Sequence, residues 1–186
     1  MTLPPVVKIS TELLWRGALL FASLDLILVS LLVWRVKPAT FRQLKWELIL
    51  VTAVFWGALW FWAVGYYWEL VYQYLFPGWS RWYLPFFQAA LTALAASLAW
   101  RLSWRMCINP VLAYCLLGGL WGFLTHLWAV HMGVVDKPPF LQGAAPISAV
   151  VIAIFEFIFY WCVIILLALL VRFARSYSRF NSSPKR

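Results

Sequence analysis

Three side chains able to hold or exchange a proton stand inside long apolar runs. They are Asp25 in Phe21-Ala22-Ser23-Leu24-Asp25-Leu26, His126 in Gly122-Phe123-Leu124-Thr125-His126, and Glu156 in Ala153-Ile154-Phe155-Glu156-Phe157-Ile158. An imidazole beside a carboxyl makes an acid–base pair. Two carboxyls deep in hydrocarbon make the parts of a proton-coupling site, and ionisable groups at such depth are functional candidates by default because they are costly to keep there.

Spacing gives these three a common orientation. Asp25 follows Ala18 and Ala22, and Glu156 follows Ala149 and Ala153, each at seven and three residues, while His126 follows Gly119 and Gly122 at seven and four. Residues so spaced share a helix face, and small residues mark faces where helices approach closely. With alternating helix directions, the three groups are expected in one slab at or just outside the midplane, bracketed on its outer side by Gln88 and Thr92. A packing role is the competing reading, since interhelical polar contacts contribute about 0.6 kcal/mol on average. Three ionisable groups at one depth exceed what packing requires, so a ligand or proton site is preferred.

The remaining candidates are weaker. His131 lies five residues after His126, about 140° round the helix, so the two cannot ligate one metal from one face; no metal site is expected. Glu69 reads as an interfacial acid. Cys107, Cys115 and Cys162 are an odd count without metal or disulfide spacing. Gly118-x-x-x-Gly122 is a common helix-contact motif. Of 14 tryptophans, nine fall at span ends as interfacial anchors, while Trp56, Trp60, Trp62, Trp121 and Trp161 lie deeper. A buried indole seeks a partner for its N–H, so Trp60, Trp62 and Trp121 are candidate walls of an aromatic pocket. A haem or another planar apolar cofactor would suit such a wall.

The elements that must position these residues follow from composition. The 186 residues are 65% hydrophobic and 11% charged, too few charges to cover a soluble domain, where about 25% is usual. The expected fold is an all-α integral membrane bundle in one domain, 1–175, with spans near 17–34, 48–68, 83–100, 111–132 and 147–171. Residues 176–186 read as a basic, flexible cytoplasmic tail. Pro110 and Pro146 open the fourth and fifth spans, where a missing backbone donor costs least. The opening residues 1–10 lack the basic region and short apolar run of a cleavable leader.

Charge sets the orientation. Eleven of 15 basic residues fall on one side: Arg35, Lys37, Arg42, Lys45, Arg101, Arg105, Arg172, Arg175, Arg179, Lys185 and Arg186. By the positive-inside rule and an odd span count, the N-terminus is expected outside and the C-terminus inside, in a plasma or inner membrane. The net charge of +9 therefore concerns the bilayer, and no nucleic-acid partner is expected.

In length, span count and tryptophan content the chain resembles the tryptophan-rich sensory proteins. It lacks their proline- and tryptophan-bearing loop after the first span, reading Arg35-Val36-Lys37-Pro38-Ala39-Thr40 there. In size, and in small-residue faces such as Ala89-x-x-x-Ala93, it resembles the substrate-binding components of vitamin transporters, which usually have six spans. Neither likeness assigns a residue, and the sequence identifies no family.

Three functions stay open. The leading one is a non-enzymatic binding or accessory subunit, holding a hydrophobic ligand or packing with other membrane subunits or a second copy. A small proton-coupled transporter, or a transporter's substrate-binding component, would use Asp25 and Glu156. A membrane enzyme would pair His126 with a carboxylate. No phosphate loop, zinc motif or nucleophile elbow is present, which lowers the enzyme. No inverted repeat or proline-broken span is present, which lowers the carrier.

Overall fold

The computed structural model describes residues 10–59, 61, 83–131 and 146–181. Six α-helices and no strand occur among them: α1 Thr11–Arg35, α2 Pro38–Gln43, α3 Lys45–Leu59, α4 Tyr83–Ser103, α5 Pro110–His131 and α6 Pro146–Asn181. Helix starts follow their capping chemistry. Ser10 accepts a hydrogen bond from the Leu13 N–H at 3.1 Å, Glu12 stands in the first turn of α1, and Arg35 in its last, a charge order that complements the helix dipole. Proline opens α2, α5 and α6. Ahead of α5, the Asn109 side chain accepts from the Val111 N–H at 2.9 Å, so the segment Asn109-Pro110 combines a cap with a residue suited to the first helical position.

Side-chain pairs fix the directions of the helices. Cys115 meets Cys162, Gly118 abuts Trp161, and Gly122 abuts Ala153 and Phe157, so α5 runs antiparallel to α6. Trp56 stacks near Phe157 while Glu47 reaches Arg175, so α3 is also antiparallel to α6. Gly57 meets Ala89 and Lys45 meets Trp100, which makes α4 antiparallel to α3. Gly17 faces Ile152 and Phe21 faces Phe159, so α1 runs parallel to α6. The result is a four-helix bundle of α3, α4, α5 and α6, with α1 docked against the flank formed mainly by α6.

The closest packing is between α5 and α6. A Cβ on Gly122 would lie 2.6 Å from the Ala153 carbonyl oxygen, and one on Gly118 would lie 2.4 Å from the Trp161 ring. Small residues here let the backbones approach, as the sequence pattern implies. Trp161, Tyr114, Phe41, Leu48 and Ile165 are fully buried in the interior.

Among the described residues, two helices, Thr11–Arg35 and the stretch Val150–Ser178 of α6, are long and apolar enough to cross a membrane, and Pro110–Thr125 is a shorter apolar helix. Three features depart from the sequence expectation. The first basic loop contains α2, six residues long, whose Phe41 is fully buried. Next, α3 starts ahead of 48 and its expected continuation over 62–68 lies outside the described residues. Finally, α6 passes the expected boundary at 171, so the first residues of the tail 176–186 are helical to Asn181. Neither proline nor glycine interrupts residues 172–183, and the Ser176 and Ser178 hydroxyls donate back to the Arg172 and Arg175 carbonyls.

Candidate polar site within the bundle

Asp25 sits on the inward face of α1. It is 6% exposed, Ala18 one face-repeat earlier is also buried, and the orientation matches the small-residue spacing. Both of its carboxyl oxygens are shielded and without a hydrogen-bond partner. Cys115 of α5 lies within electrostatic reach of this carboxyl. The Cys115 and Cys162 sulfurs are 3.7 Å apart and both residues are fully buried. The two thiols join α5 and α6, with the Asp25 carboxyl of α1 within electrostatic reach of one of them.

A second group of polar atoms lies beside it. Tyr114, on α5, packs its ring 4.6 Å from that of Trp161, and its hydroxyl lies near Thr52 of α3 but outside hydrogen-bond geometry. The Thr52 hydroxyl donates to the Leu48 carbonyl at 2.6 Å. The indole nitrogens of Trp56 and Trp161 are buried without partners. An unmet buried donor or acceptor costs about 1–3 kcal/mol, so several such atoms close together are a considerable local burden.

Glu156 stands elsewhere on α6. It is half-buried, and its carboxylate accepts a hydrogen bond from the Tyr160 hydroxyl one turn along the same helix. Six residues separate it from Cys162, about 120° round the helix, so it faces away from the thiol layer. Tyr160 in turn packs against Phe55 and Trp56 of α3. No hydrogen bond joins Asp25 to Glu156. His126 belongs to α5, but its side chain lies outside the described residues.

The other expected residues are placed as follows. Thr92 is buried on α4, and its hydroxyl donates to the Gln88 carbonyl at 2.6 Å, a bond within its own helix; Gln88 is half-buried one turn earlier, about 40° round the axis. Trp121 packs partly buried on the core, whereas Trp60 and Trp62 lie outside the described residues. No cluster of three metal-ligating side chains occurs among the described residues.

Sequence reasoning did not single out Tyr114, Thr52 or the Cys115–Cys162 pair. Only Tyr160 carried a local signal, its four-residue spacing from Glu156. Chemically, the buried Asp25 carboxyl can hold a proton within electrostatic reach of the Cys115 thiol. Compared with known protein families, curated proteins and solved structures, the chain matches none.

Proposed function

We propose that this chain is an integral membrane protein of five spans, N-terminus outside and C-terminus inside, that serves as a non-enzymatic binding or accessory subunit. What supports the membrane reading is the distribution of exposed groups. Leu26 is 72% exposed on α1, Phe86 76% on α4 and Leu170 62% on α6, while Arg42, Lys45, Arg101, Arg172 and Arg175 gather at one end. Apolar walls with cations at one rim suit a bilayer with its inner leaflet at that rim.

The observation that carries the binding role is a groove between α3 and α6. It is an open groove of about 580 Å³, lined by Leu50, Val54, Phe55, Ala58, Leu167 and Val171 with apolar walls. Small-molecule sites usually span about 300–1,000 Å³, and apolar walls of this kind suit a hydrocarbon chain or a planar apolar group. The test is purification in mild detergent, followed by an absorption spectrum, mass spectrometry of extracted compounds and identification of co-purifying chains. A stoichiometric apolar compound, lost in Ala58→Trp, is the expected result. A bare chain with neither compound nor partner would remove both the binding and the accessory readings.

One observation favours a second reading. The unpartnered Asp25 carboxyl is suited to a proton-coupled carrier. Proteoliposomes with an internal pH dye would then show a proton flux that Asp25→Asn abolishes; a wild-type flux equal to that of empty vesicles excludes it.

A further inference from the structure

We propose that the surface where Arg42 and Lys45 lie over Trp104 and Trp100 binds the phosphate headgroup of an anionic phospholipid. The proposal rests on the membrane reading. At this end of the bundle stand Arg35, Lys37, Arg42, Lys45, Arg101, Arg105, Arg172 and Arg175, and the only carboxylate among the described residues there is Glu47. Glu47 is already engaged by Arg175 at 3.5 Å. Among the described residues, most of this positive charge is therefore left without a counter-ion.

At this surface the cations are held over aromatic rings. The Arg42 guanidinium lies 5.7 Å over the Trp104 ring, and the Lys45 ammonium lies 5.4 Å over Trp100 and 4.6 Å over Trp46. Trp100 and Trp104 meet edge to face at 6.1 Å and form one wall. Aromatic faces attract a cation without neutralising it, so both groups keep donors for a phosphate. Restraint before binding lowers the entropy lost on binding. The register is set by Phe41, fully buried against Trp104 and Tyr114 at 6.1 and 5.6 Å, which pins α2 and holds Arg42 at the surface.

The surroundings select a lipid over a soluble anion. Trp46 is 70% exposed next to Lys45, and Leu102 and Met106 are exposed beside Arg101 and Arg105. A phosphate that carries acyl chains satisfies both the cations and these apolar neighbours, as basic pockets on the cytoplasmic side of membrane bundles do.

The test uses the full chain in mild non-ionic detergent, with equimolar phosphatidylglycerol and phosphatidylcholine, read by native mass spectrometry. Wild type is expected to retain phosphatidylglycerol at least about fivefold over phosphatidylcholine. Arg42→Gln with Lys45→Gln should erase that preference. Arg179→Gln with Lys185→Gln removes equal charge from the tail and should preserve it, and excess glycerol phosphate should not displace the lipid. Equal retention of the two lipids by wild type, equal losses in both double variants, or displacement by glycerol phosphate would overturn the proposal. A chain that stays soluble without detergent and retains neither lipid would instead overturn the membrane reading beneath it.

Discussion

Substituting Gly122 by alanine tests the close approach of α5 and α6. The added Cβ would lie 2.6 Å from the Ala153 carbonyl oxygen and 2.7 Å from both Cβ and Cγ of Phe157. A carbonyl oxygen cannot escape by changing rotamer, so the helices must separate. Overpacking of a tight interior costs about 1–3 kcal/mol, and a backbone contact belongs near the upper end. Alanine recovers up to about 1 kcal/mol of helix propensity relative to glycine. A net loss of about 2 kcal/mol is therefore expected. Gly57 provides the control, because its Cβ would meet Ala89 at 3.4 Å and the Pro85 carbonyl oxygen at 3.9 Å, both ordinary contacts. Gly57→Ala should be neutral or stabilising by up to about 1 kcal/mol. Thermal unfolding in detergent, followed by circular dichroism, would rank the two variants. Equal melting points would refute the reasoning, since they would mean that α5 and α6 do not pack as closely as described.

Other perturbations reach the polar layer. Asp25→Ala removes two buried, unpartnered oxygens and should raise the melting point, by about 1–3 kcal/mol of stability; a lower melting point would show that the carboxyl has a partner in the native protein. With Cys107→Ser to remove the exposed thiol, a bilayer-permeant oxidant should couple Cys115 to Cys162, because the sulfurs need close only from 3.7 Å to about 2.05 Å. Loss of two hydrogens by mass, together with protection from alkylation, checks this, and persistent free thiols would contradict the α5–α6 register.

Much of the framework was legible in local pattern. The Ala18–Asp25 spacing indicated the buried face of α1, and Gly119 and Gly122 indicated where α5 meets α6, because side-chain volume every three to four residues records how closely a helix can be approached. Pro110 and Pro146 marked their helix starts for a backbone reason that needs no partner. The contents of the polar layer were another matter. Cys115 meets Cys162 only because Gly118, Gly119 and Gly122 seat Trp161, Ile158 and Phe157 in one antiparallel register, a complementarity between segments that periodicity does not encode. The Glu156 carboxylate accepts from Tyr160 on its own helix, a choice between local and interhelical bonding that depends on rotamers. The helix α2 escaped notice because six residues among cations are too few to show an amphipathic period.

The central claim is that the cationic end faces the cytoplasm across a bilayer, and labelling in intact cells tests it most directly. In a chain without its native cysteines, Ser183→Cys and Ser10→Cys would each be exposed in turn to a membrane-impermeant maleimide. Labelling of Ser10→Cys in intact cells, with Ser183→Cys reacting only after permeabilisation, is the predicted result. Reaction of Ser183→Cys in intact cells, or recovery of the chain in the soluble fraction without detergent, would contradict the account.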